Sequence, residues 1–212
     1  VIFTSDNGPW LSYGDHAGSA GRLREGKGTC WDGGVRTPCV MRWPQKIEAG
    51  TVSDAALMTI DLLPTIAGYL GAKLPELSID GTNVAPLLEG REFSDDPREG
   101  YGFWYANNQL QAVVSADGRW KLMLPHVYRT LGGREGGRDG KPANYLPGRL
   151  TSAELYDLKS DVGETRDVAA EHPDQVERLT ALAASLRERL GDSLTNTKGS
   201  ERRPSARLGP RR

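Results

Sequence analysis

The apolar pattern changes period along the chain, and each change predicts an element. Val1-Ile2-Phe3 predicts a buried strand that stops on Thr4-Ser5-Asp6-Asn7-Gly8. A glycine-rich stretch follows, with seven glycines between Gly14 and Gly34. An irregular or edge strand is expected at about Val35–Trp43, interrupted by Pro38 and ended by Pro44. Helical spacing appears in Thr59–Gly71. Pro64 fits if the helix begins near Thr59 to Asp61, with Thr59 or Asp61 as cap and Gly71 as stop. Leu62, Leu63, Ile66, Tyr69 and Leu70 then share one apolar face.

Residues 72–100 read as linker, with Pro75, Gly81, Pro86, Gly90 and the acidic run Asp95-Asp96-Pro97. Beyond it the period becomes that of strands. Leu110–Ala116 and Arg119–Leu124 flank Asp117-Gly118, a two-residue hairpin signal, and Tyr101–Tyr105 is expected as a third strand. Residues 129–150 read as a loop rich in Gly, Arg and Pro, and Glu154–Leu158 as a short strand. The clearest helix is Pro173–Leu190, with proline at the first helical position, Asp174 and Glu177 in the first turns, and a stripe of Val176, Leu179, Ala183, Leu186 and Leu190. Residues 191–212 are polar and arginine-rich and read as a disordered tail.

Composition narrows the classes. The 212 residues carry 27 Lys and Arg against 28 Asp and Glu, a net charge of −1. This balance gives no reason to expect nucleic acid or an anionic membrane as the main partner. No apolar stretch approaches the roughly 20 residues of a membrane span. Cys30 and Cys39 match no zinc spacing and read as unpaired thiols. A core strand at residue 1, with Val and not Met in first place, reads as a piece of a longer protein. Strands of a parallel sheet left bare on both faces predict that the isolated chain aggregates or folds only in its C-terminal half.

Candidate chemistry gathers near the start. Asp6 and Asn7 offer hard oxygen ligands at a strand end, where open α/β sheets bind ligands. The alternative is an Asx turn that merely closes the strand. Lys27, between Gly26 and Gly28, can present an ammonium to an oxyanion in a cleft, or stand as an exposed loop lysine. The run is not a phosphate-binding P-loop, because Gly28 follows Lys27 where Ser or Thr is needed. His16, in Tyr13–Gly18, matters only if its loop lines the same cleft. His126 could contact a substrate from a loop after a strand, or have no such role.

The ordered set Ser5–Trp10, His16–Gly21, Leu23–Thr29, Trp31–Pro38, Thr59–Thr65, Asp80-Gly81 and Glu154–Leu158, with Asp161, Glu164 and Asp167, resembles the sulfatase family over roughly residues 1–190. The similarity is to its arylsulfatase A and N-acetylgalactosamine-6-sulfatase branch. It implies an α/β fold: the C-terminal end of an alkaline-phosphatase-like catalytic domain at 1–90, then a small antiparallel β-sheet subdomain with a C-terminal helix at 100–190. It also implies that Asp6 and Asn7 are ligands of one Ca²⁺. The same resemblance implies that Lys27 would bind the sulfate and serve catalysis, that His16 and His126 would border the substrate, and that the partner would be a sulfated small molecule or glycan. Export to the periplasm or the extracellular space is the matching location.

The sequence departs from the family at Cys30, where Thr or Ser is usual, and at Asp32, where Glu is usual. Asp for Glu shortens a side chain expected to order the Lys27 loop. Neither cysteine nor any serine stands in a Cys/Ser-x-Pro/Ala-x-Arg motif, the source of the family's formylglycine nucleophile. The expectation is sulfate-ester hydrolysis by the full-length protein and none by this chain alone. The rival is a non-catalytic module, or decayed sulfatase, that binds sulfated glycans. A phosphate-ester enzyme of the same superfamily fits the Lys27 loop less well.

Overall fold

The computed structural model describes residues 1–93 and 97–203. Its centre is a four-stranded antiparallel sheet in the order β3-β4-β5-β8, made of β3 (Gly100–Tyr105), β4 (Gln109–Ser115), β5 (Trp120–Met123) and β8 (Glu154–Asp157). The Asp117-Gly118 turn joins β4 to β5, with Gly118 at φ 71°. Leu122 of β5 pairs with Val113 on one side and Leu155 on the other. Chain hydrogen bonding thus fixes which side chains share a face.

Strands β4 and β5 are buried on both faces. One face lies under α4 (Pro173–Leu190), where Leu179, Leu182 and Ala183 pack against Leu110, Val113, Leu122 and Leu155. The helix and its stripe follow the predicted spacing, with Leu182 added to the stripe. The opposite face is covered from the N-terminal part of the chain. Cys30 and Trp31 sit there against Ala112, Met123, Leu150 and Tyr156.

The N-terminal region is thinner. Strand β1 (Ile2–Thr4) pairs antiparallel with β2 (Cys39–Met41) in a two-stranded sheet, after a 3₁₀ segment at Leu11–His16 and a single helical turn α1 (Asp32–Val35). The buried strand expected at Val1–Phe3 is exposed, Phe3 at 70%, because a two-stranded ribbon has no second layer over it here. Helix α2 (Leu62–Leu70) ends as expected on left-handed Gly71. Its predicted apolar face is turned outward, with Leu63, Ile66 and Leu70 exposed and Pro64, Thr65 and Ala67 buried instead. Asp61 does not cap the helix. Its carboxylate accepts the Met58 and Thr82 N–H groups at 2.9 Å each and pairs with Arg98 at 2.7 Å.

Three segments read as loose from sequence are tied down. Within the 72–100 linker, Thr82 meets Asp61, the Val84 N–H donates to Thr65 Oγ1, and α3 (Ala85–Leu88) follows. The loop read at 129–150 contains a hairpin of β6 (His126–Thr130) and β7 (Leu146–Leu150). Its tip reaches the 3₁₀ segment, where the Gly137 and Ala143 N–H groups both donate to the Ser12 carbonyl at 2.8 Å. Residues 191–203, read as the start of a disordered tail, pack at their N-terminal end. Buried Asp192 accepts the Leu110 N–H and pairs with Arg187 at 2.8 Å. Asp95 and Asp96 of the acidic run, and residues 204–212 of the tail, lie outside the described residues.

Candidate functional site

Two chain segments meet through backbone contacts that only glycine permits. The Gly8 N–H donates to the Gly34 carbonyl at 3.0 Å, and the Lys27 N–H donates to the Pro9 carbonyl at 2.9 Å. A Cβ on Gly8 would stand 1.7 Å from the Gly33 carbonyl oxygen, so no other residue fits this crossing without moving the backbone. The crossing carries Asp6 and Asn7 on one segment and Lys27 on the other.

All three line one cleft of roughly 730 Å³, with Trp10 and Arg36 also in its wall. Asp6 is exposed, and Asn7 and Lys27 are half-buried. The Lys27 ammonium lies 5.5 Å from the Trp10 ring centroid, a cation over an aromatic face. The Asn7 carboxamide donates to the Asp6 carbonyl at 2.8 Å, and Ser5 Oγ donates to the Asn7 carbonyl at 2.9 Å. These bonds fix the bend after β1, where Asp6 and Asn7 line the cleft. Arg36 was not singled out in the sequence. Its position four residues after Asp32 gives it a 3.6 Å contact with that carboxylate.

The two histidines are not part of this cleft. His16 is exposed at the end of the 3₁₀ segment, 3.6 Å from Asp15, although its neighbour Ala17 does line the wall. His126 is buried at the start of β6. Its Nδ1 bonds the Leu124 carbonyl at 2.6 Å, and its Nε2 has no hydrogen-bond partner. A carbonyl only accepts, so the ring proton sits on Nδ1. Burial lowers the His126 pKa, against the opposing pull of the Leu124 carbonyl.

Behind the cleft, the Lys27 loop rests on the central sheet. Trp31 is fully buried, edge-on to Tyr128 and Tyr156, with the Arg24 guanidinium 3.6 Å from its ring centroid. Arg24 also donates to the Glu164 carbonyl at 2.7 Å, and Thr130 Oγ1 donates to Glu25 Oε1 at 2.6 Å. Cys30 is an inert position, since burial pushes its thiol pKa up to about 12.

As donors, Asp6 and Asn7 suit Ca²⁺ by chemistry, being hard oxygens. They are two of the roughly six to eight oxygens such an ion takes. Among the described residues, no three His, Cys, Asp or Glu side chains are grouped to hold a metal. None of the described helices is long and apolar enough to cross a membrane.

Comparison with known proteins bears on the family and the fold. Residues 1–72 match the Sulfatase family model. The chain is similar to arylsulfatase A of Homo sapiens, 36% identical over 191 residues, covering 86% of this chain and 36% of the relative. It is also similar to N-acetylgalactosamine-6-O-sulfatase of Bacteroides thetaiotaomicron, 31% identical over 204 residues, covering 89% of this chain and 36% of the relative. A solved structure from a glycosaminoglycan-metabolism locus of Bacteroides thetaiotaomicron superposes with a TM-score of 0.67 at 29% identity, covering 89% of this chain and 38% of that one. The chain spans about a third of the length of the curated relatives it matches. Its motifs, its C-terminal fold and these likenesses agree: the chain belongs to the sulfatase family.

Proposed function

We propose that the cleft between Asp6, Asn7 and Lys27 receives the sulfate group of a sulfate ester. In this reading the chain is the C-terminal portion of a sulfatase acting on a sulfated sugar or aryl sulfate. The carrying observation is that Asp6-Asn7 and Lys27, twenty residues apart in sequence, line one cleft. The names of the relatives, an arylsulfatase and a sugar 6-O-sulfatase, support the substrate class.

The Lys27 ammonium pairs with sulfate oxygens and stabilises negative charge that grows as the ester bond breaks. Trp10 beside it narrows the solvent around that charge, which strengthens the interaction. Asp6 and Asn7 would hold part of the oxygen shell of a Ca²⁺ ion, whose charge would offset negative charge in the cleft. No Cys/Ser-x-Pro/Ala-x-Arg motif occurs in the 212 residues, so this chain binds without turning over.

Titration of inorganic sulfate into the chain and its Lys27→Ala variant tests the reading. Lys27→Ala is expected to weaken binding about tenfold, or ~1.4 kcal/mol. Equal affinity for the two proteins, or hydrolysis of p-nitrophenyl sulfate by the purified chain, overturns it.

A further inference from the structure

Lys121 belongs to β5 and lies among apolar residues, yet it is fully buried. Period-two alternation places it on the same face as Met123, and it pairs across the sheet with Tyr156. That face is the one covered by the Lys27 loop. Its ammonium lies 2.7 Å from Asp32 Oδ1 and 2.8 Å from Glu164 Oε1. The other Glu164 oxygen accepts the Asp32 backbone N–H at 2.7 Å. Three buried charges thus join β5, the turn after β8 and the first residue of α1.

A surface pair at such distances contributes little, whereas breaking a buried one leaves an uncompensated charge. Burial works against the Lys121 ammonium, and the two carboxylates outweigh it, so its pKa is raised. From Asp32 the connection to the cleft is short. The Gly33 N–H donates to the Arg24 carbonyl at 2.8 Å, which folds the Arg24–Thr29 loop back onto α1. Gly34 accepts from Gly8, and Lys27 donates to Pro9. Moving Asp32 therefore moves both walls of the cleft.

We infer that Lys121, clamped between Asp32 and Glu164, is a positioning residue that locks the Lys27 loop to the C-terminal sheet and sets where the Lys27 ammonium stands. The inference deepens the sulfate-binding reading and rests on it. It also gives the Asp32 departure a physical role. The carboxylate at this position orders the loop by reaching a lysine of the other region, and the shorter side chain still makes that contact.

The test uses the whole 212-residue chain with Lys121→Met, together with a neutral cluster of Lys121→Met, Asp32→Asn and Glu164→Gln that leaves no orphaned charge if the single variant fails to fold. Amide hydrogen exchange and inorganic sulfate titration are the readouts. The expected result is exchange about tenfold faster at Gly26–Thr29, unchanged protection at Leu122 and Leu179, and sulfate affinity about tenfold weaker. In a Lys27→Ala background the same substitutions are expected to weaken sulfate no further, because their effect passes through Lys27. Unchanged exchange at Gly26–Thr29, acceleration spread evenly through the sheet, or an added affinity loss without Lys27 overturns the inference. If Lys27→Ala by itself leaves sulfate binding intact, the sulfate-binding reading fails instead, and the exchange result alone decides whether Lys121 orders the loop.

Discussion

The sheet of residues 100–157 is covered on both faces, by α4 and by the Cys30–Asp32 segment, whereas the rest of residues 1–77 turns much of its apolar surface outward. Leu110, Val113, Leu122, Leu155 and Leu179 are at most 1% exposed. Val1, Phe3, Val40, Val52 and Leu70 are each more than 60% exposed. Both regions are rich in strand and helix signals, so local propensity does not separate them. The difference is layering. The four-stranded sheet has α4 on one face and the Cys30–Asp32 segment on the other, while β1, β2 and α2 have a partner on one side only. An element buries its apolar stripe only if a second layer stands over it.

The contrast is broken or sharpened most strongly at the two helices. Leu179→Ala removes a fully buried side chain from α4 and is expected to cost about 3 kcal/mol in urea unfolding. Leu70→Ala on the outer face of α2 should stay within about 0.5 kcal/mol. Similar costs at the two sites would erase the distinction between a closed and an open layer.

Asp61 marks the best-tied point of the open region. Asp61→Ala orphans the Met58 and Thr82 N–H groups and takes one buried carboxylate away from Arg98, at a cost of about 3 kcal/mol to that region. Exchange should rise over residues 58–84 while β4 and β5 keep their protection. Coupled loss in both places would mean that the regions unfold as one unit.

The smallest effect is a pH dependence on the closed side. His126 has a lowered folded pKa, so its contribution is fully present above the ordinary histidine value of about 6.5 and is lost as pH falls through the folded value. The unfolding midpoint of the sheet should therefore decline below about pH 6.5, and His126→Asn should flatten that decline. A decline of unchanged slope in His126→Asn assigns it to other groups.

Much of the closed region was legible in the sequence because its signals are local. Asp117-Gly118 requires no partner to be read as a turn, and the Pro173–Leu190 stripe repeats over five turns. The β6–β7 hairpin was not legible. Its strands, His126–Thr130 and Leu146–Leu150, are joined by a long glycine-rich excursion whose conformation is set by contact with Ser12, more than a hundred residues away. The outward face of α2 was misread for a related reason. The heptad-like spacing is real, but burial falls on Pro64, Thr65 and Ala67, where the 82–84 segment packs.

The same division holds at the candidate site. The sequence by itself determined the residue types: hard oxygens at Asp6 and Asn7, an ammonium framed by glycines at Lys27, and the ordered motifs of the sulfatase family. Only the tertiary structure decided which of them share a cleft. It joined Asp6, Asn7 and Lys27, kept His16 and His126 apart from them, and brought Lys121 against Asp32 and Glu164. The physical reason is separation. A side chain's chemistry is written at its own position, but a buried charge cluster depends on chain closure across 89 residues, which no local pattern encodes.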